Sequence, residues 1–458
     1  MSRDLPVKKN EEYILTIENM GINGEGIGRI EGYTLFISGA IPEEKVRIKV
    51  IKINKNYGYG KLMEIIEPSP YRVEPFCPYS TRCGGCQLQH LNYKAQLDYK
   101  TRLVKDAMER IARIYDLKIH PTIGMDDLLG YRNKAQFPVG LVRDSLAIGF
   151  YAPRSHDIID MDTCFIQHRI NDDIIHIIRQ FIKEYGISIY DEIKHRGIIR
   201  HIVTKVGFKS GQVMVIIVTN GSSLPHKGKL IDMLRNSIPG ICSIVQNINR
   251  EKTNVILGNK NITLWGQDYI VDTIGEFKFK ISPLSFFQVN PVQTEVLYKK
   301  ALEFANLTGN EIVVDAYSGI GTISLFLAKN AKKVYSVEVV KEAGEDAKEN
   351  ARINDINNVE FIQGESEVII PKLVEDGLKI DVAVVDPPRK GCDARLLDAL
   401  IKANPERIVY VSCNPATLAR DLRYLWDRGY KAGEVQPVDM FPFTTHVESI
   451  ARIQRIDI

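Results

Sequence analysis

Between residues 8 and 66 apolar and polar side chains alternate in short runs, KVRIKVIKI and YGYGKLMEII among them, separated by glycine-bearing stretches such as GINGEGIGRI and EGYTLFISGAIPEE. A period of two over such short runs predicts strands, and several strands with glycine turns and no helical period predict a small β-barrel of OB type. EPSPYRVEP then reads as a linker. Beyond a cysteine-rich stretch, YKAQLDYKTRLVKDAMERIARI spaces its apolar positions three and four apart and predicts a helix. From about 130 to 280 the pattern is mixed, with strand-like runs IIRHIVTKVGF, QVMVIIVTN and CSIVQNIN, as expected of a separate α+β domain. From about 281 strands alternate with helical segments: IVVDA (312–316), KVYSVE (333–338), DVAVVD (381–386) and RIVYVS (407–412). That alternation predicts a parallel, doubly wound α/β sheet, in which ligands bind beyond the carboxyl ends of the strands. The expected division is 1–66, 67–280 and 281–458.

A chain of 458 residues is long enough for several domains, and 44% apolar with 26% charged residues is ordinary for a soluble globular protein. No apolar run is long enough to cross a bilayer, and MSRDLPVKKNEEY has no apolar signal segment, so a cytoplasmic protein without a membrane partner is expected. The net charge of +3 is uninformative as a sum. Its distribution says more, because from Lys45 to Lys61 every charge is basic and Tyr57 and Tyr59 are interleaved. Such a run serves as a solvated strand face or as a nucleic-acid platform that contacts phosphates and stacks bases. Of seven cysteines, Cys77, Cys83 and Cys86 crowd together in CPYSTRCGGC, and Cys164 follows far downstream. Disulfides are not expected in the cytosol.

The strand ends carry the candidate chemistry. IVVDA runs into Tyr317, Ser318, Gly319, Ile320 and Gly321. Glycines there admit a ligand close to the backbone, yet the third glycine of the dinucleotide fingerprint and the P-loop lysine are both missing, which favours a nucleoside without phosphates. Glu338 closes the next strand, where an acid can hold both ribose hydroxyls. Together they point to S-adenosylmethionine rather than NAD. Asp386, Pro387, Pro388 and Arg389 follow DVAVVD, and the two prolines impose a stiff turn that holds the carboxylate at the sheet edge. Amino-group methyltransferases have a related acidic or amide residue before Pro-Pro, so the turn marks a methyl-transfer pocket without fixing the atom methylated.

Cys413 separates the alternatives. Alone, a cysteine ending the strand in IVYVSCNPATLARD reads as packing. Carbon 5 of uracil is a poor nucleophile, however, and thiolate attack on carbon 6 turns the ring into an enolate that accepts a methyl group, whereas an exocyclic amine needs no such help. The start of the helix after Asn414 and Pro415 is expected to favour the thiolate. A base must remove the proton from carbon 5 before the sulfur leaves. Glu448 in FPFTTHVESIA is the candidate, with His446 its rival, since residues two apart on a strand share a face.

SFFQVNPVQTE, DAYSGIGTISLFLA, VVDPPRKG, VSCNPATLARD and HVE together resemble the RNA uracil-C5 methyltransferase family, over nearly the whole chain. The resemblance is closest to the 23S rRNA (uracil-5-)-methyltransferases of Gram-positive bacteria, members of which serve two uridines. It implies a C-terminal Rossmann-like SAM-dependent methyltransferase domain and a TRAM barrel that binds RNA. It also implies Cys413 as nucleophile, Glu448 as proton acceptor, and Gln288, Tyr317, Glu338 and Asp386 as cofactor-binding residues. Four thiolates around a Cys-Gly-Gly-Cys core suit zinc as well as iron and sulfur. The resemblance implies a [4Fe-4S] cluster on Cys77, Cys83, Cys86 and Cys164, structural or RNA-positioning in role. A base inside a stem cannot offer both faces, so the target is expected flipped or unpaired, with Arg132 and Lys134 of YRNKAQ as candidate RNA contacts. The expected partner is 23S rRNA, with no obligate protein partner evident. Rival expectations are a tRNA T-loop enzyme, against which the barrel and cysteine cluster are expected to count, and a non-catalytic RNA-binding assembly factor.

Overall fold

The computed structural model describes residues 5–456, so the first four residues of the expected barrel division and the last two of the catalytic division lie outside it. Strands Glu12–Met20, Gly26–Ile30, Tyr33–Ser38, Lys45–Ile53 and Tyr57–Glu67 close into a barrel. Their alternate apolar residues, Ile17, Leu35, Ile37, Val46, Ile48 and Val50, fill its interior. In YGYG the glycines face inward, where a Cβ on Gly58 would lie 3.0 Å from the Leu35 side chain and 2.8 Å from the Lys52 carbonyl. The strand's side chains are thereby confined to the outer face, where Phe36, Tyr57 and Tyr59 stand with each pair of ring centroids 5.8 Å apart.

A seven-stranded sheet follows and contains the three strand-like runs as Ile199–Val206, Val213–Thr219 and Ile241–Ile248. Every residue of the first two strands is buried. One face packs under helices Ile170–Glu184 and Lys227–Ser237. The other, through Val203, Met214, Ile216 and Val218, shares a core with hairpin Ile270–Ile274/Phe277–Ile281 and with the C-terminal sheet. Covering both faces removes the polar alternation, which accounts for the unbroken apolar runs.

The C-terminal sheet has eight strands in the spatial order Val359–Gln363, Lys333–Glu338, Ile312–Ala316, Val382–Val385, Arg407–Ser412, Glu448–Arg455, Tyr430–Val438 and Lys118–Ile119. The first five are parallel and doubly wound. The expectation of a parallel sheet needs correcting at the other edge, where Glu448–Arg455 runs antiparallel to both neighbours. The chain passes from Val438 to Glu448 through a turn without a crossover helix, and only an antiparallel pair can be joined that way.

Helix Tyr93–Ala107 and the single π-helical turn Met108–Ala112 bury Val104, Ala107, Met108 and Ala112 in the core of this C-terminal sheet. Among the described residues no helix is long and apolar enough to cross a membrane.

Candidate active site

Strand Ile312–Ala316 delivers the chain into a loop where Tyr317, Gly319 and Gly321 have φ of +65°, +57° and +79°. Three left-handed residues within five fold the loop tightly over the strand end, and Tyr317 bears that conformation without the freedom of glycine. At Gly321 a Cβ would lie 3.2 Å from both Ala347 and the Phe361 ring, so the position also demands the missing side chain. The Gly319 and Val340 backbone N–H groups donate to the two oxygens of Glu338 at 2.8 and 2.7 Å. These bonds fix the carboxylate at its strand end while leaving each oxygen a further lone pair. Tyr317 donates its hydroxyl to Glu367 at 2.8 Å. Beneath the loop Ser324 donates to Asp315, whose carboxyl is pushed up to about 7 by burial, with the charges of Asp386 and Glu338 adding to the effect.

Gln288 is held through its backbone. Its carbonyl accepts from the Asn133 side chain at 2.9 Å, and the next carbonyl, Val289, accepts from the Asn133 N–H at 2.8 Å. Asn290 then caps helix Pro291–Ala305. Gln288, Tyr317, Glu338 and Asp386 line one cavity of about 1240 Å³, which Cys413, Glu448 and His446 also line.

The turn after strand Arg407–Ser412 is tied down locally. Ser412 Oγ accepts from the Asn414 N–H at 3.1 Å, and Asn414 Oδ1 accepts from the Ala416 N–H at 3.0 Å, capping helix Pro415–Trp426. The Asn414 amide donates to the Arg389 carbonyl at 3.1 Å, which links the cysteine turn to the Pro-Pro-Arg turn. Burial pushes the Cys413 thiol up to about 11, the charges of Glu448 and Asp386 add to this, and Arg389 opposes them. The helix start was expected to favour the thiolate. Burial beside two carboxyl groups outweighs it, and the resting group is the thiol.

Glu448 is only 5% exposed. Its register neighbour Ser449 lies opposite Ser412, which places the carboxyl beside the cysteine turn. Burial, then the charge of Asp386, pushes Glu448 up to about 8, while Arg389 again opposes; Asp386 itself rises to about 7 by burial. His446 does not share a strand with Glu448. The strand begins at Glu448, and His446 sits in the preceding turn, edge-on to Phe441 at 6.1 Å. Its ring is held below the usual histidine range by burial, with the cations Arg389, Lys100 and Arg132 adding to the effect. Sequence reading assigned no role to Arg389, although it is the cation common to both Cys413 and Glu448. Its place immediately after Pro-Pro, on the same rigid turn as Asp386, was the available signal.

Cys77, Cys83, Cys86 and Cys164 line the same cavity, and none is in a disulfide. Burial raises Cys86 to about 11 and Cys164 to about 12, and neighbouring thiols of the set push both further in the same direction. Among the described residues no three His, Cys, Asp or Glu side chains are close enough together to hold one metal ion. Arg132 lines the cavity, whereas Lys134 is not among the lining residues and its amine is pushed below the usual lysine range by burial.

Residues 92–456 match the family described as tRNA (Uracil-5-)-methyltransferase, and residues 6–63 match the TRAM domain. An uncharacterized RNA methyltransferase of Clostridium tetani is 57% identical, and one of Halalkalibacterium halodurans 55%, each match covering 98% of this chain and 98% of the relative. Among solved structures, the Pyrococcus abyssi tRNA (uracil-54, C5)-methyltransferase in complex with S-adenosyl-L-homocysteine is similar with a TM-score of 0.77 and 29% identity, over 96% of this chain and 98% of that one. With the glycine loop, the strand-end acid and the barrel all in place, the chain belongs to the RNA (uracil-5-)-methyltransferase family, with an N-terminal TRAM barrel and a Rossmann-like domain that uses S-adenosylmethionine as methyl donor.

Proposed function

We propose that this enzyme forms 5-methyluridine in 23S rRNA through a transient bond between Cys413 and carbon 6 of the target uracil. The observation that carries the reading is the convergence of Cys413, Glu448 and Asp386 in the cavity that the donor loop also lines. Gln288, Tyr317, Glu338 and Asp386 bind the methyl donor, Glu338 through the ribose hydroxyls, with Asp386 also next to the target base. Cys413 gives up its proton to solvent water and the resulting thiolate attacks carbon 6, moving the electron pair of the 5,6 double bond into an enolate. Carbon 5 takes the methyl group as the carbon–sulfur bond of the donor breaks. Glu448 in its ionised form accepts the proton from carbon 5, the freed pair restores the double bond, and the Cys413 thiolate leaves. A thiol near 11 needs help to ionise at neutral pH. The lowering by Arg389 is already contained in that value, and the positive sulfonium of the donor, when bound, would act in the same direction.

Cys77, Cys83, Cys86 and Cys164 all line the cavity and are the soft thiol donors a [4Fe-4S] cluster takes, which supports the cluster by donor type, although among the described residues they do not stand together as a ready ligand set. When bound, the cluster supplies a cross-link between the 77–86 loop and Cys164; the methylation chemistry requires no electron. Seven free thiols also favour a reducing, cytoplasmic setting. In domain terms, residues 1–66 serve RNA binding, 67–280 form the central part with the cysteines, and 281–458 perform the chemistry.

A second reading, tRNA as substrate, gains support from the Pyrococcus abyssi enzyme. A match over 96% of this chain leaves too few residues over to omit the barrel, so a TRAM-type barrel does not count against a tRNA substrate. Methylation of 23S rRNA and of tRNA transcripts, compared side by side, separates the two. For the mechanism, RNA carrying 5-fluorouridine at the modified site is expected to become trapped on the wild-type enzyme and not on Cys413→Ala. Turnover on ordinary RNA with no trapping through position 413 overturns the covalent route.

A further inference from the structure

Resting on the reading of Glu448 as the base, we propose that the turn 439–446 is a clamp through which the cysteine-bearing loop sets the position of Glu448, and that Gln96 is its positioning residue. The turn carries Phe441, Thr444 and His446 into the cavity and ends on the strand that begins with Glu448. Besides its own bonds, such as Thr444 N–H to the Phe441 carbonyl at 3.1 Å and Phe441 N–H to Asp439 at 3.1 Å, its backbone is held from outside at Phe441, Pro442 and Phe443. The Phe443 carbonyl accepts from both the Gln87 and Leu88 N–H groups, each at 2.9 Å, immediately after Cys86. The Phe443 N–H donates to Gln96 Oε1 at 3.0 Å, while Gln96 Nε2 donates to the carbonyls of Leu88 at 3.1 Å and Leu91 at 2.7 Å. One fully buried amide thus bonds the cysteine loop and the turn together.

Further bonds close the clamp. Tyr131 donates to the Pro442 carbonyl at 3.1 Å, and buried Lys100 donates to Asp439 at 2.5 Å and to the Phe441 carbonyl at 3.0 Å. Phe443 itself has φ of +67°, a conformation an aromatic residue keeps only where its surroundings over-determine it. Its ring packs with Tyr131 and Ile166 against Cys86 and Cys164, and lies 5.0 Å from Phe76, the neighbour of Cys77. Movement of the cysteine loop is therefore transmitted to the turn. Cys413 hangs on strand Arg407–Ser412, which pairs with strand Glu448–Arg455 beyond the turn, and on the Asn414–Arg389 bond; neither support passes through residues 439–446. Loosening the clamp should slow proton removal from carbon 5 while leaving formation of the carbon–sulfur bond intact.

The test uses the full chain carrying Gln96→Met, which keeps the length and removes the amide. With saturating RNA and donor, the covalent adduct bearing methylated RNA should accumulate at least about 10-fold over wild type as kcat falls by a similar factor, the scale expected when a catalytic group is misplaced by a fraction of an ångström, with KM for the donor unchanged. A merely structural loss would lower adduct formation and turnover together. Tyr131→Phe, which removes one hydroxyl and leaves the volume, should give a smaller rise and decides the matter if Gln96→Met fails to fold. In an amide-exchange measurement without RNA, Cys86→Ser should speed exchange at Phe443 and His446 while leaving residues 407–412 protected. Glu448→Gln runs in parallel: no adduct in that variant defeats the reading of Glu448, whereas adduct there but none with Gln96→Met and Tyr131→Phe, or unchanged exchange at Phe443 in Cys86→Ser, overturns the clamp.

Discussion

Replacing Glu448 by Gln should stabilise the protein and stall it at the same time. The carboxyl moves from an ordinary value of 4.5 to about 8 because it is buried beside Asp386. A carboxyl with a raised value in the folded chain holds its proton there while the unfolded chain has lost it, so folding stability drains away as pH climbs from about 4.5 to about 8. At about 1.36 kcal/mol per unit, the cost is under about 1 kcal/mol at pH 5 and reaches on the order of 5 kcal/mol at pH 8. Glutamine has the same shape and no proton to lose. Urea or thermal melts of both proteins should give nearly equal stabilities at pH 5 and a gap in favour of Glu448→Gln that widens up to pH 8. The same variant, mixed with RNA and donor, should accumulate a methylated covalent adduct because its carbon 5 proton has no acceptor. A stability gap that is constant or shrinks with rising pH would show that Glu448 does not carry this burial cost, and the assignment of a poised base would go with it.

In Gly321→Ala the new Cβ meets Ala347 and Phe361 at 3.2 Å in a backbone with φ of +79°, so a loss of about 1–2 kcal/mol in a denaturant melt is expected, together with weaker donor binding by calorimetry. Glu338→Ala frees the Gly319 and Val340 N–H groups and removes the proposed acceptor for the ribose; affinity for S-adenosylmethionine should fall about 10- to 100-fold with RNA affinity unchanged. Tyr57→Ala and Tyr59→Ala should each weaken RNA binding by about 1–3 kcal/mol if bases stack on the outer barrel face, seen as a raised KM for RNA and an unaltered KM for the donor. Equal effects on both constants would point to damage to the barrel instead.

The parts legible from sequence were those whose physics is local. The barrel announces itself because each strand has water on one side, and the glycine loop after strand Ile312–Ala316 because its glycines and the acid of the next strand sit at fixed spacings. Strands Ile199–Val206 and Val213–Thr219 lost their alternation to burial on both faces, yet their β-branched runs still marked them. Hidden from sequence was whatever depends on distant neighbours. Lys100, to which sequence reading assigned nothing, is fully buried against Asp439, 339 positions away. The helix that carries it reads as a continuation of the cysteine segment, and its partners in the C-terminal core lie hundreds of residues on. The rule of two residues on a strand failed for His446 and Glu448 because the strand boundary falls between them. At Cys413 the helix start was readable from sequence, whereas burial and two carboxyl groups, which raise the thiol, depend on other strands.

The pairing of Lys118–Ile119 with Tyr430–Val438, and of Lys100 with Asp439, also fixes an order of events during protein synthesis. The barrel, complete by Glu67, can close while most of the chain is still being made. The helix from Tyr93 has no such option: its apolar side and the Lys100 ammonium group must wait in water until the ribosome has passed residue 440, some three-quarters of the polypeptide later. A nascent chain halted between those points would expose that helix to chaperones, while its RNA-binding module was already in working order.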